Sequence, residues 1–253
     1  MYRKITQKEL NKIIENHKHW IMKDCIGYEN MRANFSYTDL KELDLKNIDL
    51  SYADLRFADL SHSNLVNIDL RGANLIGANL SGSSIITANL NNASLCNANL
   101  SKAIFCDVKI KQADLRGSIL KNVYFKNVNL EDSNLMFANL EKSDLYGTYF
   151  NGANLSNTDF YNSDIRYANL ENSNLMLANL EKVNFRSSNL KNSNLNYANL
   201  YGANLSNANL INANLSNANL FIANLTNADL VGANLEETNL SGAYLNGTKK
   251  SNI

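Results

Sequence analysis

The sequence predicts an all-β solenoid of square cross-section, and a five-residue repeat is the main evidence for it. An apolar residue, here called the centre of each repeat, stands at every fifth position from Phe35 to Leu245, through 43 repeats without an insertion. The residue two places before the centre is Ala, Ser or Thr in 36 repeats, and the residue directly before it is Asn or Asp in 35. A disordered polar tract would not keep such a register, so the pattern indicates a fold.

A period of five excludes a single helix or a single strand. On an α-helix, five residues advance the chain by about 500°, so successive centres would wind around the surface. On a continuous strand, an odd spacing would place alternate centres on opposite faces. All centres share one interior only if the chain turns once per repeat. The small residue and the centre then point inward, and Asn or Asp points outward.

Glycine usage places the turn at the two residues after each centre. Ten of the eleven glycines lie two residues after a centre, where Asn is also frequent. Gly and Asn tolerate the positive φ that the third residue of a type II turn requires. Turns of roughly 90° let four repeats close one square coil, with successive coils about 4.8 Å apart. The repeats from 33 to 247 therefore form about 10 to 11 coils.

The N-terminal segment, residues 1–27, is expected to be an amphipathic helix that covers the first coil. Thr6 and Glu9 have capping-box spacing, and Gly27 is a suitable stop for the helix. Residues 28–32 are then a connector to the repeats. Three side chains are expected to pack in this cap rather than to bind a ligand: His17, His19 and Trp20.

The repeats resemble a known family. Segments such as ADLRFADL, RGANLIGANLSG and NADLVGANL are similar to those of the pentapeptide repeat family, and the resemblance covers residues 33–247. It implies a right-handed quadrilateral β-helix with four pentapeptides per coil. Some members of this family are DNA mimics that bind gyrase and are linked to quinolone resistance. This chain departs from that pattern, because residues 34–253 carry 20 acidic and 17 basic side chains and no loop interrupts the repeats.

The C-terminal end has no predicted helix to cover it, since only a short tail, residues 248–253, follows the repeats. Apolar residues stand at outward positions of the last coils, and several relatives form end-to-end homodimers. We therefore expect a homodimer through residues of about 211–245. Five side chains are expected at the contact: Ile211, Phe221, Ile222, Val231 and Tyr244.

Residues 20 apart are expected to stack, so their numbers sort the outward positions into faces. The basic–aromatic face is the expected partner-binding surface, and it carries Ile104, Tyr124, Lys126, Tyr146, Arg166, Tyr167 and Arg186. A second, apolar face carries Met136, Phe137, Met176, Leu177 and Tyr197. A third face carries His62, Tyr161, Glu181, Tyr201, Phe221 and Ile222.

The repeat is least regular in residues 103–130, where bulkier residues replace Ala, Asn and Asp. One interpretation is compensatory packing around Phe105 and Phe125. The other is a patch that contacts a partner, since outward Ile104 and Tyr124 exceed what solubility requires. The sequence leaves both interpretations open.

Composition restricts the classes of function. The net charge of the 253 residues is zero and no apolar run is long enough to span a bilayer, which favours the bacterial cytoplasm and argues against membrane or direct nucleic-acid binding. Cys25, Cys96 and Cys106 lack metal-ligand spacing, so no metal or cofactor is expected. The only polar residues expected near His62 are Asp59 and Ser61, on an exposed surface, which argues against a catalytic site. The expected function is a non-catalytic protein-interaction rod of unknown partner; the alternative is a gyrase-binding DNA mimic.

Overall fold

The structure, a computed structural model, describes residues 2–250, so the predicted tail residues 251–253 lie outside it. Within these residues, the chain forms one α-helix, one 3-10 helix, short strands and many single β-bridges. In chain order the elements are β1 (Arg3–Lys4), α1 (Gln7–Met22), the 3-10 helix Tyr28–Asn30, β2 (Thr38–Asp39), β3 (Ser84–Ile86), β4 (Ile104–Cys106), β5 (Tyr124–Lys126), β6 (Asp229–Leu230) and β7 (Lys249–Lys250).

The repeats stack as coils of 20 residues. Parallel bridges or strand pairs join almost every residue before a centre to the residue 20 positions later, from Asn34–Asp54 to Asn224–Tyr244. The exception is Asp44, whose backbone N–H donates to the side chain of Gln7 in α1. Each step is held by backbone hydrogen bonds: Leu195 N–H donates to Asn214 O at 2.7 Å, and Asn214 N–H donates to Ser193 O at 2.9 Å. Proline is absent from the sequence, which agrees with a fold in which most backbone amides donate along the solenoid.

The core is the column of centres predicted from the sequence. Every centre from Phe35 to Leu230 is at most 2% exposed, and the small residues two places earlier are buried beside them. Where that small residue is Ser, its hydroxyl group can bond to the backbone, as when Ser163 Oγ donates to Leu140 O at 2.7 Å. Leucine fills the interior while Ala or Ser keeps the coil narrow enough to close.

The corners have the predicted backbone conformation. The second residue after the centre has a positive φ in each repeat from Asn47 (57°) to Gly247 (69°). A typical corner is closed by the Ala53 N–H, which donates to Leu50 O at 3.0 Å. This pattern matches a type II turn, in which only the third residue needs the left-handed region.

The irregular segment contains two of the three longest strands of the solenoid, β4 and β5, and β3 precedes it by one coil. β3, β4 and β5 pair in parallel, and they bring Phe105 and Phe125 into an edge-to-face contact with ring centroids 4.8 Å apart. Val108, Val123 and Val128 are buried where Ala usually stands. The inward exceptions are thus part of the buried core, whereas Ile104 and Tyr124 point outward and are exposed.

α1 lies against the first coil but is shorter than expected. Its capping box is present, with the Thr6 side chain accepting from Glu9 N–H and the Glu9 side chain accepting from Thr6 N–H. The helix ends at Met22 because Lys23 adopts the left-handed conformation (φ 55°), so Gly27 begins the 3-10 helix instead of ending α1. Within residues 2–250, no helix is long and apolar enough to cross a membrane.

Two further contacts were missed by the sequence analysis. β1 precedes α1 and pairs with β2, so the chain contributes a strand to the first coil before it forms the helix. At the other end, β7 pairs with β6, which places Lys249 and Lys250 in the last coil rather than in a free tail. Both segments are too short and too polar to stand out by periodicity.

Candidate interaction surfaces

The Asn side chains that precede the centres are occupied by the fold. Asn194 Oδ1 accepts the backbone N–H of Asn196 at 3.2 Å and the side-chain amide of Asn214 at 3.3 Å. Its own Nδ2 donates to Asn174 Oδ1 at 3.1 Å. The first bond closes the turn locally, and the others form a ladder along the solenoid. Groups that are free to bind a partner must come from other positions.

The basic–aromatic face is a continuous surface. Ile104 and Tyr124 are partners in the register of β4 and β5, and their side chains are 44% and 42% exposed. Tyr146 and Tyr167 extend the surface, with ring centroids 5.3 Å apart. The Arg166 guanidinium group lies 5.6 Å from the centroid of the Tyr146 ring, a cation–π contact. The structure thus brings the predicted aromatic residues of this face together.

The cations of this face differ in whether they form an ion pair within the chain. Arg166 donates from Nε and Nη2 to the carboxylate of Asp164 at 2.8 and 2.6 Å, and this hydrogen-bonded contact raises the pKa of Arg166. Within residues 2–250, Lys126 and Arg186 form no ion pair. A shallow pocket of about 330 Å³ lies between Tyr124 and Arg166, with Lys126 on its wall. Lys126 and Arg186 are therefore the free positive charges available to a ligand.

The apolar face follows one corner of the solenoid. Phe137, Leu177 and Tyr197 are 60%, 50% and 56% exposed, whereas Met136 and Met176 beside them are half-buried. The structure adds two residues to this corner that the sequence analysis missed: Tyr37 and Phe57, whose rings stack with centroids 4.9 Å apart. Their spacing from Phe137 is a multiple of the 20-residue coil, so the period alone could have revealed them.

Several side chains of the third face contact one another. Tyr201 and Phe221 stack with ring centroids 5.7 Å apart, and the Lys182 ammonium group lies 5.3 Å from the centroid of the Tyr161 ring. His62 is not brought into a catalytic arrangement, because its ring lies over Gly82. Ser61 Oγ instead donates to Asp59 Oδ1 at 2.7 Å.

The residues expected at a dimer contact do not form one patch. Ile211 and Val231 stack on one side, because they are 20 residues apart, while Phe221 lies half a coil away on the opposite side. Tyr244 is bridged to Asn224, two residues after Ile222, so it lies beside the corner of Phe221 and Ile222. What these residues share is nearness to the last described coil, where the centres Leu235, Leu240 and Leu245 are only partly buried.

The acidic residues of the first coils are largely engaged. Asp54 and Asp69 pair with Arg56 and Arg71 at 2.6 and 2.7 Å, and Asp59 pairs with Lys41 at 3.3 Å. Hydrogen bonds from the Arg56 side chain are the largest cause of the lowered pKa of Asp54. Asp44 and Asp49 accept backbone N–H groups at the corners. The three ion pairs therefore interrupt the acidic stripe of the first coils, whereas Asp44 and Asp49 form no ion pair within residues 2–250.

These features define a solenoid scaffold that presents side chains on flat outer faces. The chain matches the family described as pentapeptide repeats, in eight copies that cover most of its length. The copies are residues 31–65, 53–92, 87–122, 118–157, 143–181, 153–192, 184–220 and 223–249. The chain therefore belongs to the pentapeptide repeat family. No curated protein matches it significantly in sequence.

Several solved structures are similar to this chain. HetL, a pentapeptide repeat protein involved in heterocyst differentiation regulation from the cyanobacterium Nostoc sp. strain PCC 7120, is 30% identical; the match covers 81% of this chain and 90% of HetL, with a TM-score of 0.48. QnrB1, a plasmid-mediated fluoroquinolone resistance protein, is 23% identical over 71% of this chain and 91% of its own, with a TM-score of 0.47. A pentapeptide repeat protein of the Arabidopsis thaliana thylakoid lumen is 34% identical over 42% of this chain and 63% of its own, with a TM-score of 0.27.

Proposed function

We propose that this protein is a non-catalytic interaction rod of the bacterial cytoplasm, built as a right-handed quadrilateral β-helix with α1 as its N-terminal cap. Its basic–aromatic face binds a protein partner. The observation that carries this proposal is the continuous run of exposed aromatic rings on β5 and the following coils, next to the free cations Lys126 and Arg186.

The chemistry of this face suits a protein–protein contact. Tyr and Arg are enriched in interfaces, and they account for many of the residues that contribute most to binding. The coils hold each ring on a rigid backbone, so little conformational entropy is lost when a partner binds. Lys126 and Arg186 favour a partner that offers carboxylates around an apolar centre. The interior is filled by the centres, which supports a role for the outer surface rather than an enclosed catalytic pocket.

Gyrase binding is the weaker alternative. It rests on the family's DNA mimics, whose acidic rods occupy a DNA site, whereas Asp54, Asp59 and Asp69 are paired with cations in this chain. Direct nucleic-acid binding is weaker still, because two free cations on this face would release few counterions from a phosphate backbone.

The proposal is tested by affinity capture from the native organism with matched surface variants. Tyr146→Ser combined with Arg186→Glu alters the basic–aromatic face at exposed positions, and Tyr197→Ser alters the apolar face at a similar exposure. We expect a protein that binds the wild type to be lost with the first variant, by at least about tenfold in recovery, and retained with the second.

Other outcomes overturn the proposal in distinct ways. If the partner is lost with Tyr197→Ser but retained with the double variant, the partner binds the apolar face instead. Equal recovery with all three proteins would show that neither face binds the partner. Capture of gyrase subunits, together with inhibition of gyrase supercoiling by the purified protein, would establish the alternative.

A further inference from the structure

The loop that follows α1 brings together three side chains that can ligate a metal. Lys23 and Gly27 both have positive φ, 55° and 82°, so the chain folds back at the C-terminal end of the helix. Asp24 and Cys25 thereby return to the level of His19. One ligand atom from each of these three residues lies within 4.8 Å of the other two.

Two separate contacts already orient these donors. His19 Nδ1 and Asp24 Oδ1 are 2.8 Å apart, so the imidazole and the carboxylate face each other. Cys25 Sγ lies 3.9 Å from Met31 Sδ, just beyond the 3-10 helix, so the thiol is held on the side of the loop that faces the chain. The three donors are partly exposed, with the His19 and Asp24 side chains 40% and 42% accessible, so an ion can reach them from solvent.

We propose that His19, Asp24 and Cys25 bind one Zn²⁺ ion, contrary to the expectation from the sequence that the chain binds no metal and that His19 only packs in the cap. Imidazole nitrogen, carboxylate oxygen and thiolate sulfur are the ligand types that Zn²⁺ takes in proteins, with bonds of about 2.0 to 2.3 Å in tetrahedral geometry. The donor atoms lie within 4.8 Å of one another, so side-chain rotations would have to bring them to the separations around a bound ion. On binding, Cys25 loses its thiol proton to solvent, and the proton that His19 Nδ1 shares with Asp24 moves to the other ring nitrogen, so that Nδ1 is free to ligate. Water fills the fourth position.

The site is independent of the proposed partner face, which lies on later coils. A bound ion would cross-link the last turn of α1 to the loop that leads into the first coil. Because an ion that binds only the folded state stabilises it, Zn²⁺ is expected to strengthen the attachment of α1 to the solenoid.

The full chain can be tested with Co²⁺ as a spectroscopic substitute for Zn²⁺, since a cobalt–thiolate bond gives a charge-transfer band in the near ultraviolet. We expect one Co²⁺ per chain, with a thiolate band that Zn²⁺ displaces. Cys25→Ser should abolish the band, and His19→Ala or Asp24→Asn should weaken affinity by at least about tenfold. The free cysteines Cys96 and Cys106 supply matched controls, because Cys96→Ser and Cys106→Ser should leave the titration unchanged.

The outcomes that overturn the site are equally specific. A thiolate band that survives Cys25→Ser, or that disappears with Cys96→Ser, would place the ion elsewhere. Absence of stoichiometric binding to the reduced wild type would leave His19 and Asp24 as a surface pair and Cys25 as a packing residue. Circular dichroism of Cys25→Ser at neutral pH distinguishes a lost ligand from a lost fold.

Discussion

His17 connects α1 to the first coil through both ring nitrogens. Nδ1 accepts the backbone N–H of Ala33 at 3.1 Å, so the proton resides on Nε2, which donates to Ser51 O at 3.0 Å. The ring is buried and stacks on Trp20 with centroids 5.3 Å apart. Burial lowers the pKa of His17 below its usual value of 6.5.

The attachment of α1 should therefore weaken in acid. A His that is neutral in the folded state and has a lowered pKa binds fewer protons there than in the unfolded chain. The contribution of His17 to the free energy of unfolding is therefore complete above pH 6.5 and declines as the pH falls below that value. Trp20 is the single tryptophan, and its fluorescence reports this contact. We expect His17→Gln, which keeps a donor and an acceptor, to flatten the fluorescence change between about pH 7 and pH 5. His62→Gln should keep the wild-type profile; identical profiles for His17→Gln and wild type would contradict the prediction.

Glycine has a second use at the corners of the early coils. The Tyr52 ring lies over Gly72, where an added Cβ would come within 2.5 Å of Tyr52 Cε1, and the Phe57 ring lies over Gly77 in the same way. Glycine is therefore chosen there for space as well as for positive φ. The sequence contains this pairing, an aromatic residue 20 positions before a glycine, but it becomes meaningful only once the coil length is known.

At the scale of elements, α1 depends on its first turn. The hydrogen bonds between Thr6 and Glu9 satisfy N–H groups that the helix leaves without partners, and they are the main reason that the pKa of Glu9 is lowered. Leu10 and His17 are its fully buried side chains. A helix with so small a buried face relies on its cap more than a core helix does.

Thr6→Ala should loosen α1 without affecting the repeats. Loss of an N-cap hydroxyl costs on the order of 1 kcal/mol, whereas Thr6→Ser keeps the acceptor. In a solenoid, an end element can unfold separately from the stack. We expect Thr6→Ala to move the urea midpoint of Trp20 fluorescence to lower concentration, with the strand signal in circular dichroism unchanged. Equal midpoints for the Ala and Ser variants would show that the capping box contributes nothing.

At the scale of the molecule, the two ends are unequal. α1 and β1 lie on the first coil, whereas Leu235, Leu240 and Leu245 of the last coil remain partly exposed. Partly exposed apolar side chains at the last described coil favour association with another copy. The predicted homodimer therefore depends on the end of the rod more than on the outward residues first expected there.

Light scattering on the full chain tests this assembly. We expect a mass of two chains, each of 28.2 kDa, for the wild type. Leu240→Gln and the outward variant Tyr244→Glu should both shift the population toward one chain, while Tyr197→Glu, remote from the end, should not. A wild-type mass of one chain at high protein concentration would remove the homodimer.

For the basic–aromatic face, the period of the sequence predicts which residues stack but not which charges are paired. Once the coil has 20 residues, the stacking of Ile104 on Tyr124 follows from their numbers, and the structure has them as register partners. The pairing of Arg166 with Asp164, which leaves Lys126 and Arg186 as the free cations, does not follow from numbers, because side-chain rotamers decide it. The sequence therefore predicted the members of the face but not its electrostatics.

The sequence by itself determined the solenoid, because each repeat makes the same local turn and buries the same two positions whatever lies elsewhere in the chain. Only the tertiary structure decided the ends. The stop of α1 at Met22, the pairing of β1 with β2 and the meeting of His19 with Cys25 depend on a chain that leaves the repeat and folds back on it. Such contacts do not recur at a fixed spacing, so they cannot be predicted from a pattern in the sequence. They form because of packing between segments that are distant in the chain.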